Sequence, residues 1–213
     1  MSTEFAGELF QSGTVFLVDD DDSILEGLGN LLESVGLKVE RYASAEEFAA
    51  RWRADSPGCL MLDARLPGMT GVEFQEQLRR TGVAIPIIFM TAHGDVPMVR
   101  KVMKAGAVEF LTKPFEKEEM LEAIRNAFAL DRARRNERLE LQAIQQRLDT
   151  LTPREREVMD LMTSGLLNKQ IAGELNLSEV TVKLHRRHVF DKMEAESMAE
   201  LVKMTERVKK GRY

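Results

Sequence analysis

Thr14-Val-Phe-Leu-Val-Asp-Asp-Asp-Asp22 runs an apolar segment straight into four carboxylates. Residues 15–18 read as a short strand, and the aspartates fall at its carboxyl end. Four like charges there repel one another unless water screens them or something positive arrives. A solvated acidic turn meets the first condition and a cation site the second. The segments that follow decide between them.

Downstream, strand-like and helix-like segments alternate. Residues 23–35 space Leu25, Leu28, Leu31, Leu32 and Val35 as a helix does. Residues 39–42 predict a strand, 45–54 a helix, 59–62 a buried strand and 71–80 a helix. Residues 85–90 predict a strand, 96–105 a helix and 108–111 a strand, and from Lys117 the chain is helical again. This alternation, with apolar strands, predicts an α/β fold: a doubly wound, five-stranded parallel sheet of flavodoxin-like type, covered on both faces. Sites on such sheets form at the carboxyl ends of the strands.

From Glu118 to about Thr150 there is neither proline nor glycine, which predicts one long helix of up to roughly 50 Å at about 1.5 Å per residue. Leu141, Ile144, Leu148 and Leu151 repeat along it at helical spacing, a stripe to pack on a partner chain or on the chain's own domains. Arg132, Arg134, Arg135 and Arg138 read as a solvated surface. After Leu151 only helices are expected. Thr152-Pro-Arg-Glu155 is a strong helix start, Gly165 stops that helix, and residues 169–175 form a second. Ser178-Glu-Val-Thr begins a third that runs to about Met193, and residues 196–208 make a fourth. The chain therefore divides into an α/β domain (13–130), a helical linker (131–149) and a separate all-α domain (150–213).

Composition narrows the setting. Hydrophobic residues make up 44% and charged residues 31%, ordinary values for a soluble protein with a real core. No apolar run approaches the roughly 20 residues that cross a bilayer, and residues 1–8 do not resemble a signal peptide. A cytoplasmic location is expected. Cys59, the one cysteine, lies in an apolar run and reads as a buried small hydrophobe. With one cysteine and three histidines, a structural zinc site is not expected. From Leu151 onward 12 Lys and Arg face 10 Asp and Glu, against 18 and 25 before it, which suggests two domains with different partners.

The strand ends carry the chemistry. The first strand ends at Asp19 and Asp20, the third at Asp63 and the fourth at Thr91, and Lys113 follows the fifth. Singly, each has a dull alternative as a loop or cap residue. Together they offer three carboxylates, a hydroxyl and an ammonium on one edge. Close carboxylates suit a hard cation, and Mg²⁺ takes oxygen ligands while keeping water. One carboxylate can then act as nucleophile toward a phosphoryl group whose oxygens the lysine and metal neutralise.

The motifs Val-Asp19-Asp20-Asp, Leu-Asp63-Ala-Arg-Leu-Pro-Gly-Met-Thr-Gly, Met-Thr91-Ala-His-Gly-Asp and Phe110-Leu-Thr-Lys113-Pro-Phe closely resemble those of bacterial two-component receiver domains. The spacings fit as well, with 43 residues from Asp20 to Asp63, 28 on to Thr91, and 50 from Asp63 to Lys113. The resemblance implies Asp63 as phosphoacceptor. It implies a Mg²⁺ (or Mn²⁺) site made by Asp20 and Asp63 directly, by Asp19 through water, and by the backbone carbonyl of Arg65. Thr91 and Lys113 would hold the phosphoryl group, Phe110 would be the switch aromatic (or plain core packing), and the Lys113–Pro114 bond would be cis. The output surface would be residues 96–105, the following strand and the start of the long helix.

Leu151-Thr-Pro-Arg-Glu-Arg-Glu-Val-Met, Asn168-Lys169-Gln-Ile-Ala and Ser178-Glu-Val-Thr181-Val-Lys183-Leu-His-Arg-Arg187 resemble the LuxR-type helix-turn-helix. Receiver plus this module is similar to the FixJ/NarL class of response regulators. Lys183, Leu184 and Arg187 share one helical stripe and should face the major groove, while Val182, Val189 and Met193 face the core. Lys169 and Thr181 are expected at phosphates, and His185 and His188 read as packing and surface residues. The resemblance implies a transcription regulator, not an enzyme. It implies a sensor histidine kinase, promoter DNA and RNA polymerase as partners, a homodimer when phosphorylated, and no membrane. Two other readings compete. An aspartate-nucleophile phosphatase would carry Asp-x-Asp-x-Thr, and Asp63-Ala-Arg-Leu-Pro lacks the second acid. A DNA-binding regulator controlled without phosphorylation would not need all five receiver positions.

Overall fold

The computed structural model describes residues 13–53, 56–92 and 96–210, and its contacts divide the chain after Arg134. The reading of residues 1–8, the end of the expected helix at Ala54, and the His93-Gly-Asp part of the third motif lie outside the described residues.

In the first unit, strands β1 (Thr14–Val18), β2 (Lys38–Tyr42), β3 (Gly58–Asp63), β4 (Ile87–Thr91) and β5 (Glu109–Thr112) form one parallel sheet in the order β2-β1-β3-β4-β5. Helices α1 (Asp22–Ser34), α2 (Ala45–Arg51), α3 (Gly71–Arg80), α4 (Val96–Lys104) and α5 (Lys117–Asp149) alternate with them. Successive side chains of a strand point to opposite faces, so each continuous apolar strand feeds two cores. Phe16, Val18, Leu60, Leu62 and Phe89 pack on one face with Phe48 and Phe74. Val15, Leu17, Cys59, Met61, Ile88 and Met90 pack on the other with Met120, Ile124 and Phe128 of α5. A fully buried side chain of this kind is worth about 1.5–3 kcal/mol, so the strand ends stand on a stiff platform. Burial also pushes the Cys59 thiol up, keeping it the inert packing residue expected.

Boundaries differ from expectation where backbone chemistry outweighs hydrophobic pattern. Ser23-Ile-Leu-Glu26 has the spacing of a capping box, yet it is not the start of α1. Asp21 is the N-cap instead, its carboxylate accepting from the backbone N–H groups of Ser23 and Ile24, with Asp22 in the first turn. β4 begins at Ile87, because Pro86 has no N–H to give the ladder and contributes only its carbonyl to Leu60. β5 runs one residue later than predicted. α2 stops at Arg51 because Trp52 is extended and stacks its ring on Phe48.

The second unit holds the end of α5 with α6 (Pro153–Thr163), α7 (Asn168–Leu175), α8 (Glu179–Met193) and α9 (Met198–Lys210). The expected helix starts are present. Thr152 and Glu155 form a reciprocal capping box at α6, and Ser178 caps α8 through the Thr181 N–H. α9 begins at Met198, two residues later than predicted, where Ser197 accepts from the Glu200 N–H. Ile144 and Leu148 of the α5 stripe, and Leu151 just past the end of α5, are buried with Val158, Ile171, Val182, Val189 and Leu201. The stripe therefore packs within the chain's own C-terminal unit.

Candidate functional site

Strand register builds the first site. Val18 pairs with Leu62, so Asp19 and Asp63 leave adjacent strands at the same level. Asp63 pairs with Met90, one residue before Thr91, and the Thr91 carbonyl accepts from the Lys113 N–H at 2.7 Å. From that anchor the Lys113 ammonium reaches back across the edge. Its Nζ donates to Asp19 Oδ2 at 2.6 Å and to Asp63 Oδ2 at 2.7 Å. The other oxygens are held by backbone: Asp21 N–H donates to Asp19 Oδ1 and Arg65 N–H to Asp63 Oδ1. The Lys113–Pro114 peptide is cis.

Gly71, the first residue of α3, packs so tightly beneath this loop that a Cβ would stand 2.6 Å from the Asp63 carbonyl oxygen. Any larger residue would have to displace the backbone that holds Asp63. Burial differs across the group: the Asp19 side chain is 2% exposed, Asp63 13% and Lys113 17%. Asp63 is thus the more accessible of the two bonded carboxylates.

Two carboxylates compete for one ammonium here. Burial holds the Asp19 carboxyl above its usual range, against the lowering by Lys113, and the charge of Asp63 adds to the rise. Burial works against the Lys113 ammonium, and its bonds to Asp19 and Asp63 outweigh it, so its pKa lies above the ordinary lysine value. Asp20 is exposed and takes no part in the Lys113 pairing. The edge therefore presents oxygen donors whose formal negative charge exceeds the one ammonium among them. That is the chemistry a hard divalent cation selects, so the residues fit an ion such as Mg²⁺.

Thr91 is buried at the end of β4. Phe110 of β5 lies beside Phe89 in register, half-buried against the core. Arg65 is exposed, with its backbone turned to the site.

A second surface lies on α8. Lys183, Leu184 and Arg187 are exposed along one stripe while Val182, Val189 and Met193 are buried behind them. Leu184 is 52% exposed, and Val180, one turn earlier on the same stripe, is 76% exposed. Val180 was absent from the predicted set, although its spacing of three, four and seven residues from Lys183, Leu184 and Arg187 is readable in the sequence. Thr181 is half-buried, its hydroxyl bonded to Ser178 at the helix cap. Lys169 is exposed at the start of α7.

A buried acid that sequence reading passed over lies at the other end of β3 from the site. Asp131 of α5 accepts from the Gly58 N–H at 3.1 Å, tying the start of β3 to the long helix.

Comparison with known proteins finds two domain families along the chain. Residues 15–125 match the response regulator receiver domain, and residues 149–205 match the bacterial regulatory proteins of the luxR family. Nodulation protein W of Bradyrhizobium diazoefficiens is 47% identical over 192 residues, covering 90% of this chain and 85% of that one. Response regulator protein TodT of Pseudomonas putida is 43% identical over 199 residues, covering 93% and 88%. Among solved structures, the response regulator StyR gives a TM-score of 0.82 at 49% identity, covering 92% of this chain and 99% of that one. Full-length FixJ from B. japonicum gives 0.56 at 36% identity, covering 93% and 98%.

Proposed function

The chain belongs to the response regulators that join a receiver domain to a LuxR-type DNA-binding domain, and on that premise we propose that Asp63 is its phosphoacceptor and the exposed stripe of α8 its DNA-reading surface. The observation that carries the first part is the accessible Asp63 carboxylate fixed beside Lys113 and Asp19 at the sheet edge. A kinase phosphohistidine is the expected donor. An Asp63 oxygen attacks phosphorus, the new P–O bond makes an acyl phosphate, and the P–N bond breaks with its electron pair leaving on the imidazole.

Lys113 already points at Asp63, so its ammonium neutralises the charge that builds on the phosphoryl oxygens. Asp19, Asp20, Asp63 and the Arg65 carbonyl would hold the Mg²⁺ or Mn²⁺. When bound, that ion supplies positive charge for the phosphoryl oxygens.

Phosphorylation adds about −1.5 to −2 charge and three acceptor oxygens. The Thr91 hydroxyl turns toward them, Phe110 takes the space released, and the surface formed by α4, β5 and the start of α5 changes. Dimerisation of that surface would set two α8 helices on adjacent half-sites of promoter DNA, with RNA polymerase as the downstream partner. The family consists of transcriptional regulators, and in this reading the chain is a regulator, not an enzyme. No helix among the described residues is long and apolar enough to cross a membrane, and the proposed site of action is the cytoplasm.

On α8, Lys183 and Arg187 carry donors for guanine edges or phosphates, and the exposed aliphatic Val180 and Leu184 suit thymine methyl groups. Two experiments test the reading. Incubation with a small-molecule phosphodonor and Mg²⁺ should label the wild type and leave Asp63→Asn unlabelled; equal labelling would remove Asp63 from the role. Lys183→Ala and Arg187→Ala should each weaken specific DNA binding by about 1–3 kcal/mol where the contact is to a base. Unchanged affinity for a selected site in both variants would remove the stripe from the interface.

A further inference from the structure

Two of the three histidines, expected from sequence to be packing and surface residues, come together with a buried carboxylate in the C-terminal unit. Glu155 of α6 and His185 and His188 of α8 each bring a ligand-type atom within 4.8 Å of the others. We propose that these three side chains form a binding site for a borderline divalent d-block ion, with Zn²⁺ as its representative, that pins the DNA-reading helix to α6.

The two histidines are three residues apart, so one helix presents both rings on one face. Glu155 comes from the neighbouring helix, which makes the site a cross-link between elements. The carboxylate is divided by function. Oε2 accepts from the Thr152 N–H at 2.8 Å and from Lys192 Nζ at 2.7 Å, while Oε1 faces His188 Nδ1 at 3.4 Å. Held this way, Oε2 fixes the orientation of the group and Oε1 is presented as a monodentate ligand, the arrangement that orients carboxylates in metal sites. The charge of Lys192 opposes a metal ion, and its bond to Oε2 keeps it on the far oxygen.

His185 supplies a second observation: its Nδ1 is enclosed and has no hydrogen-bond partner among the described residues. A buried ring nitrogen without a partner is costly, and metal coordination at one nitrogen leaves the other as donor. His188 is 45% exposed while Glu155 is 5% exposed, so the cluster has a closed inner wall and an open outer side for entry and for water ligands. Two imidazoles and one carboxylate with an open position match the donor set of Zn²⁺ and its first-row neighbours, and differ from the all-oxygen set at the sheet edge. On the α8 wheel His185 and His188 lie between the buried stripe and Val180, Leu184 and Arg187. An ion there would fix the azimuth of the reading face.

The test uses the full chain in saturating Mg²⁺, so that the acidic sheet edge does not compete, with Zn²⁺ added stepwise. Imidazole ¹⁵N spectra resolve three histidines. His185 and His188 should shift together and saturate at one ion per chain, with His93 unmoved as internal control. His188→Gln, whose exposed side chain leaves the core intact, should bind Zn²⁺ at least about tenfold more weakly. The Zn²⁺-dependent rise in melting temperature seen in the wild type should disappear in that variant. Neither ring shifting, all three shifting together, or His188→Gln binding Zn²⁺ as tightly as wild type would overturn the proposal. The wild-type spectra decide it without relying on the variant's folding.

Discussion

Tyr42 shows how one buried group sets a pH limit on the receiver unit. Burial first, and then its hydrogen bond to the Glu40 carboxylate, push the phenol up to about 12. The unfolded chain releases that proton near the ordinary value of 10.0, while the folded chain still holds it. Stability is therefore full below pH 10 and falls as pH rises toward about 12, where the folded phenol titrates too. Tyrosinate absorbance of the folded protein should include a step near pH 12 that Tyr42→Phe removes. Titration of every tyrosine near pH 10 in the native protein would contradict this. Single residues were legible where type and position act together: Asp19, Asp63, Thr91 and Lys113 stand at strand ends, and register alone brings them into line. Strand position alone does not separate Asp20 from Asp19; the resemblance gives them different roles, and the backbone turns Asp19 inward while Asp20 stays exposed. Likewise Ser23 and Asp21 both resemble caps, and only the backbone decides that Asp21 accepts the two N–H groups.

At the scale of elements, the helix starts carry most of the readable information. Thr152 caps α6, with Glu155 returning the bond to its N–H. Thr152→Ala should cost about 1 kcal/mol of C-terminal unit stability, measured by urea unfolding. A change indistinguishable from zero would mean that packing alone fixes this start. Strand positions were legible from apolar runs, and strand ends less so, because Pro86 and the neighbouring ladders set them through backbone donors that hydrophobicity does not register. The stripe on α5 was visible as a period but not as a destination: burial of Ile144, Leu148 and Leu151 against Val158 and Val182 is a tertiary fact. The Glu155–His185–His188 cluster was hidden for the same reason, since Glu155 is distant in sequence from the two histidines, which look like ordinary surface residues.

For the molecule as a whole, the acidic first part and mildly basic last part correspond to two units with different chemistry: a carboxylate edge in one and an exposed Lys and Arg stripe in the other. Each unit has its own core, and α5 runs unbroken through both. The proposed phosphoryl group at Asp63 would change DNA reading only through a difference in its interaction with two states of the protein. Such couplings are typically about 5- to 150-fold in affinity. The most direct measurement is the affinity of the full chain for a DNA site selected with it, before and after treatment with phosphodonor and Mg²⁺, in the wild type and in Asp63→Asn. The account predicts a gain within that range for the wild type and none for the variant. Equal affinity in both states of the wild type, or the same gain in Asp63→Asn, would contradict it.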